Sequence, residues 1–193
     1  MVEKNLTDKA FAQVNRTSFV LPEYSNQADL DIPLPIGFGQ TISQPTTVRL
    51  MLEWLDARVG DKVLDLGSGS GWTCALLAKI VGSKGKVLAV ELIPELLKFG
   101  KRNCQQAGVK NVEFHLAGKK LGLPEFAPFD RILVSAAAEK LPKEIIYQLR
   151  IGGKMIIPVG NSIYEIKKEK SGFKSVEHFG FVFVPLKNPK EVN

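Results

Sequence analysis

The sequence predicts a doubly wound α/β fold of Rossmann-like type, a parallel sheet finished by antiparallel strands at its C-terminal edge. Three observations carry this. From residue 61, apolar strand-like runs alternate with helix-like stretches. The run at 130–135 is largely apolar, as a strand buried on both faces must be. After residue 159 the alternation stops, and three strand-like runs follow with no helical pattern between them.

Each element has a local reason. Thr7 and Asp8 open a short helix with Ala10, Phe11 and Val14 on one face. Residues 20–44 hold Pro22, Pro33, Pro35, Gly37 and Gly39 and show no periodic element; a segment this long without structure inside a compact domain points to function. Pro45 suits the first position of a helix whose apolar face is Val48, Met51, Leu52 and Leu55. Then come a strand at 62–66, a helix at 72–81 and a strand at 85–91. Pro94 starts a helix that Gly108 ends, with Leu96, Leu97 and Cys104 on its apolar face. Strands at 112–116 and 130–135, a short helix at 142–149 and a strand at 154–159 follow. The last runs, at 163–168, 173–179 and 181–185, read as strands, and the alternation of Phe179, Phe181 and Phe183 reads as core.

Composition narrows the class. The chain has 193 residues, 45% of them apolar, which excludes a disordered chain and suits one α/β domain. Its two cysteines exclude a disulfide scaffold, and two scattered histidines (His115 and His178) with Cys74 and Cys104 make no zinc site, so no metal is expected. No apolar run reaches the ~18 residues of a membrane span, and residues 1–8 lack the apolar core of a signal peptide. The expectation is a cytoplasmic protein. The net charge of +6 invites a nucleic-acid reading, but residues 1–139 hold 16 basic and 15 acidic side chains. Residues 140–193 hold 10 basic, ending with Lys190, and 5 acidic, with no basic block. Solvated strand and loop faces explain that spread.

The chemistry lies in Val63-Leu64-Asp65-Leu66-Gly67-Ser68-Gly69-Ser70-Gly71, which runs from a strand into a helix. Glycines there let the backbone turn tightly and let a ligand approach closely. The spacing is Gly-x-Gly-x-Gly with Trp at 72, which disfavours the dinucleotide fingerprint. Asp65 lies two positions before the first glycine, and Glu91 ends the next strand, where a carboxylate takes the hydroxyls of a ribose. Together these features mark an S-adenosylmethionine site and a class I S-adenosylmethionine-dependent methyltransferase fold. Trp72 either packs structurally or walls the cofactor pocket. A second signal is Pro33 to Pro45, stiffened by prolines, hinged by glycines and ending at a helix start. Two readings stand: the helix amino terminus beside Thr41 and Ser43 receives a substrate carboxylate, or Ser43 or Gln44 caps the helix.

At this point the chain resembles the protein-L-isoaspartate (D-aspartate) O-methyltransferase family over nearly its whole length. The resemblance rests on Phe19-Val20 with Pro22-Glu23, Leu34-Pro35-Ile36-Gly37, and Gly39-Gln40-Thr41-Ile42-Ser43-Gln44-Pro45. It continues through the Asp65–Gly71 loop and Glu91, Ala136-Ala137 before Leu141-Pro142, Gln148-Leu149 with Gly152-Gly153, Pro158-Val159-Gly160 and Phe183-Val184-Pro185-Leu186. It implies methylation of the free carboxylate of isoaspartyl residues in damaged proteins, after which the ester cyclises to a succinimide and hydrolysis partly restores aspartate. It implies Ser43 as the active-site residue, and cofactor contacts at Gln44, Thr47, Asp65, Gly67, Ser68, Gly69, Gly71, Glu91, Leu92 and Gly118. It implies substrate contacts at Ile36, Gly37, Thr41, Ala136 and Ala137. One domain results: residues 1–44 as N-terminal helix and substrate loop, 45–160 as cofactor core, 161–193 as C-terminal strands. The implied partners are isoaspartyl proteins and peptides, with a monomeric enzyme that binds neither nucleic acid nor membrane.

This chain departs from the family in places. Where relatives carry Gly-Asp-Gly after the third strand, it reads Ala117-Gly118-Lys119-Lys120, so Gly118 takes the acidic position that helps place adenine. Asp29 stands where a Tyr is frequent, and the amino terminus is short. A methyltransferase acting on another substrate, or a binding module without turnover, are the competing readings. A base methyltransferase fits less well, since Ser135-Ala136-Ala137-Ala138 follows the fourth strand in place of an Asn/Asp-Pro-Pro-aromatic motif.

Overall fold

The computed structural model describes residues 6–187. A seven-stranded mixed sheet is its frame. The chain enters through α1 (Leu6–Gln13), two 3-10 turns at Arg16–Phe19 and Pro22–Gln27, and a small hairpin of β1 (Leu34–Gly37) and β2 (Gln40–Ile42). Then follow α2 (Pro45–Leu55), β3 (Lys62–Leu66), α3 (Trp72–Val81), β4 (Lys86–Glu91), α4 (Pro94–Gln106) and β5 (Val112–Leu116). β6 (Phe129–Val134), α5 (Lys143–Ile146), β7 (Leu149–Val159), β8 (Ser162–Lys168) and β9 (Phe173–Phe179) complete it. The strand order is β5-β4-β3-β6-β7-β8-β9. The first five in that row run parallel; β8 and β9 pair antiparallel, so the doubly wound sheet with an antiparallel edge is present.

Burial explains why these runs are strands. Along β3, Val63 packs into one core cluster while Leu64 and Leu66 pack into the other, as the two-residue period of a strand requires. The first cluster sits under α1–α4, and the second under α5 and the segment around Leu121–Phe129. Both faces of β3, β4 and β6 are therefore dry, which is why they read as continuous apolar runs. Among the described residues no helix is long and apolar enough to cross a membrane.

Several expectations need correction. Residues 20–44 are not structureless; they hold a 3-10 turn and the β1–β2 hairpin, whose strands are too short to show a period. The helix expected at 142–149 spans only Lys143–Ile146, and β7 starts at Leu149, before Gly152 and Gly153. A register shift in the β6–β7 pairing between Phe129 and Arg131 lets that long strand pass its two glycines. Residues 181–185 form no strand; only Pro185 makes a bridge, parallel to Ala137. Phe179 is 81% exposed, because its edge strand has no covering layer on that face, whereas Phe181 and Phe183 pack half-buried on the core. Leu97 is only half-buried; Leu96, Gly100, Asn103 and Cys104 form the inner face of α4. Much of the basic excess is engaged structurally: Lys154 meets Glu165, Lys174 meets Glu169, and the Lys168 ammonium donates to the carbonyls of Tyr147 and Leu149. Lys190 lies outside the described residues.

Candidate active site

The site forms at the carboxyl ends of β3, β4 and β6, where a parallel α/β sheet leaves a crevice. After Leu66 the chain turns through the glycine loop, and the N–H groups of Gly67 and Ser68 donate to the Val90 carbonyl at 2.9 and 3.0 Å. That pins the loop to β4. Gly71 begins α3 with φ +82°, and a Cβ there would lie 2.7 Å from the Gly100 carbonyl oxygen. The loop thus seats against α4 only because position 71 has no side chain. At Gly69 a Cβ would stand 3.1 Å from the Ile36 Cδ1, so the hairpin closes over the loop at van der Waals range.

Two carboxylates flank the loop in different states. Asp65 is fully buried at the end of β3. One oxygen accepts from the Thr73 hydroxyl at 2.6 Å and the Cys74 thiol at 3.0 Å; the other has no partner. Burial pushes its pKa up to about 6, against the pull of those two donors. The buried Cys74 and Cys104 thiols are themselves pushed up by burial, Cys104 to about 12, so both stay protonated. Glu91 ends β4. One of its oxygens accepts from the Gly69 N–H at 2.8 Å, and the other from Leu92 and Ile93 at 2.7 and 3.0 Å. A carboxylate offers about four acceptor directions. As it stands, Glu91 keeps one for a ligand hydroxyl, rather than the pair expected for a ribose.

A cavity of about 270 Å³ opens between these elements. Of the expected residues, Ile36, Thr41, Gly67, Gly69, Glu91, Leu92 and Ala136 line it. Ser68 and Ser43 border a narrow cleft beneath the loop, and Ser43 continues, with Gln44 and Thr47, along a second cavity of about 280 Å³. Gln44 and Thr47 therefore face that second cavity and not the first. Gly37, Asp65, Gly71, Gly118 and Ala137 line none of the three. Gly118 is exposed, with open space around it, although Ala117, Leu121 and Gly122 on either side of it line the first cavity. Ala137 instead docks the C-terminal segment: its N–H donates to Val184, and its carbonyl accepts from Leu186, at 2.8 and 2.7 Å. That segment, Val184–Lys187, forms a wall of the first cavity. Trp72 packs edge-on against Phe11 and borders the narrow cleft, and it does not line the Glu91 cavity.

Sequence reasoning missed three residues. Arg16 is buried, and its guanidinium donates to the carbonyls of Ala28, Leu30, Ile32 and Ser43 at 2.9–3.3 Å, over the Trp72 ring. Burial lowers its pKa, and the neighbouring Asp31 and Asp29 oppose that. Asp31 caps α2 from outside the helix. It accepts from the Thr46 N–H at 2.8 Å, the Thr46 hydroxyl at 2.7 Å and the Gln44 amide at 3.1 Å, and the Thr46 bonds hold its pKa down. Ser43 and Gln44 do not cap the helix backbone, and its anion site is already filled by a carboxylate of this chain. The third, Ser135, borders all three cavities. None of the three lay in a motif; only Arg16 hinted at its role, as a lone cation before the Pro- and Gly-rich segment.

The arrangement fits a ligand with a cationic and an anionic end. Asp65 supplies unneutralised negative charge beneath the loop, while the Ser68 hydroxyl and the Trp72 indole N–H are buried there without partners. Among the described residues no cluster of His, Cys, Asp and Glu could hold a metal ion.

The comparisons agree with this geometry. The model of the protein-L-isoaspartate(D-aspartate) O-methyltransferase family matches residues 1–191. A protein-L-isoaspartate O-methyltransferase of Pyrococcus horikoshii is 44% identical over 192 residues, covering 96% of this chain and 86% of that protein. A solved protein-L-isoaspartate O-methyltransferase is 28% identical with TM-score 0.87; the match covers 96% of this chain but 62% of that one. A Plasmodium falciparum structure, described as a putative member in complex with S-adenosyl-L-homocysteine, is 25% identical with TM-score 0.83, covering 97% and 92%.

Proposed function

The chain belongs to the protein-L-isoaspartate (D-aspartate) O-methyltransferase family, and from that premise we infer its reaction: S-adenosylmethionine-dependent methylation of the free carboxylate of L-isoaspartyl and D-aspartyl residues in damaged proteins, which begins their repair. The observation that carries this is the pair of cavities that share Thr41, Ser135 and Val184, one bordered by the glycine loop and Glu91 and the other by Ser43. When bound, S-adenosylmethionine supplies an electrophilic methyl group on a positively charged sulfur.

We assign the cofactor to the Glu91 cavity. The remaining acceptor direction of Glu91 suits one ribose hydroxyl, and the apolar walls at Leu92, Ile93, Leu96 and Leu121 suit a purine. Ser68 and the loop backbone suit the amino-acid end, with Asp65 supplying negative charge behind it. The substrate carboxylate is ionised at neutral pH, its pKa being about 3.9, so no general base is required. What the protein adds is alignment and exclusion of water, because opposite charges that merge in the transition state are held apart by solvation. Ser43 orients the carboxylate, and Arg16 holds the Ser43 carbonyl. Residues 1–193 act as one domain, with residues 1–44 covering substrate, 45–160 holding cofactor and 161–193 completing the sheet. We propose that it works as a monomer in the cytoplasm, without nucleic-acid or membrane partners.

The test is methyl transfer to a peptide with one isoaspartyl residue against its aspartyl twin. Transfer to the isoaspartyl peptide alone is expected, lost in Ser43→Ala while S-adenosylhomocysteine still binds. Equal transfer to both peptides, or an unimpaired Ser43→Ala enzyme, defeats the assignment.

A further inference from the structure

We propose that Ser135 is a second carboxylate-orienting residue, its hydroxyl donating to the substrate oxygen that does not attack. The inference rests on the reading above and names a residue that reading leaves out.

Thr41 and Ser135 are the two residues common to all three cavities, and Ser43 borders two of them. This is where a group held against the glycine loop meets a group held against the hairpin. Ser135 directly follows β6, and its N–H donates to the Leu66 carbonyl at 2.9 Å. Its backbone is thereby locked to the last residue of β3, immediately before the loop. A Cβ on Gly67 would stand 3.9 Å from the Ser135 Cβ, which places the serine side chain directly beside the first glycine of the loop. The hydroxyls of Thr41, Ser43 and Ser135 make no hydrogen bonds among the described residues, which leaves all three available to a ligand.

In the cleft and the second cavity the charge pattern points to an anion held by hydroxyls; Lys187 borders the first cavity alone, and the Arg16 guanidinium is taken up by backbone carbonyls. No Lys, Arg or His borders the cleft or the second cavity. The amino terminus of α2 is occupied by Asp31. A substrate carboxylate at this junction has hydroxyls and backbone N–H groups as its donors. That choice suits the reaction. A lone pair of one carboxylate oxygen forms the new C–O bond, the C–S pair returns to sulfur, and no proton moves. An ion pair would hold the anionic ground state more firmly than the less charged transition state. A hydroxyl on the spectator oxygen fixes the direction of the attacking one at smaller loss.

Two variants, Ser135→Ala and Ser135→Thr, test this beside the wild type, each assayed on an isoaspartyl peptide and by calorimetry with S-adenosylhomocysteine. Loss of a charge-assisted hydrogen bond predicts a fall of about 10- to 100-fold in kcat/KM for Ser135→Ala. S-adenosylhomocysteine affinity is expected to stay within about twofold, and Ser135→Thr to recover most of the activity. Peptide binding to the S-adenosylhomocysteine-loaded protein gives a second readout: Ser135→Ala weakens an isoaspartyl peptide but not its isoasparaginyl amide. Activity of Ser135→Ala within about threefold of wild type, or an equal loss on the two peptides, overturns the proposal; so does a loss of S-adenosylhomocysteine affinity as large as the loss of activity. If the wild type transfers no methyl group, the functional reading fails, and the binding comparison still decides the role of Ser135.

Discussion

Replacing Asp65 by Asn separates what this carboxylate does for the fold from what it does for the ligand. Asp65 is fully buried, no cation touches it, and one of its oxygens has no partner. Its pKa rises from 3.8 to about 6 chiefly through burial; the Glu91 charge adds to the rise, while the Thr73 and Cys74 donors oppose it. At roughly 1.4 kcal/mol for each pH unit, the ionised form weakens the fold by about 3 kcal/mol. The sign follows from the raised value. Well below pH 3.8 the side chain is protonated in folded and unfolded chains alike and nothing is lost. As pH climbs from 3.8 through about 6 the unfolded chain releases its proton first, and stability falls; above that the penalty is constant. The amide stays neutral and keeps an oxygen for Thr73 and Cys74. Asp65→Asn should therefore match wild type near pH 4 and melt higher above pH 6, by up to about 6–12 °C at about 2–4 °C per kcal/mol. The unpaired amide N–H group takes back part of that gain. Thermal unfolding from pH 4 to pH 8 measures the gap, and calorimetry should show weaker S-adenosylhomocysteine binding above pH 6, where Asp65 is charged. A gap that is constant with pH, or Asp65→Asn melting lower at pH 8, refutes the reasoning.

Other outcomes follow from single contacts. Arg16→Met strands four carbonyls and should cost about 3–5 kcal/mol, read by denaturant unfolding, with KM for peptide rising more than S-adenosylhomocysteine affinity falls. Gly71→Ala puts a methyl group 2.7 Å from the Gly100 oxygen at a positive φ, and should lower Tm and cofactor affinity together. Asp31→Ala removes the cap of α2 and should lower Tm. Because Asp31 has a depressed pKa, that difference is present at neutral pH and fades as pH falls through its folded value.

The central β/α alternation was legible because its strands are buried on both faces and its helices start at Pro45 and Pro94. The glycine loop and Glu91 were legible because a tight turn and a strand-end carboxylate are local events. What failed was set by distant partners. The hairpin at Leu34–Ile42 closes against the glycine loop through Ile36, a contact between residues 33 apart in sequence. Asp31 caps a helix that begins at Pro45, and nothing near Asp31 marks it as a cap. Ser135 followed an apolar strand and lacked any motif of its own. The 181–185 segment has strand composition, yet its backbone meets only Asn161 at its start and Ala137 near its end, and so it stays a wall rather than a strand.

That wall has a consequence in time. The glycine loop and Glu91 leave the ribosome well before Val184–Lys187, by roughly 5–20 s at about 5–20 residues per second. Until the later residues exist and dock on Ala137, the cofactor cavity stands open on one side, so a growing chain has no closed place to hold the cofactor. By the reciprocity of linked equilibria, a ligand that binds better with the segment docked also holds it docked. The last part of the described chain to be made is thus the part whose seating the cofactor would report.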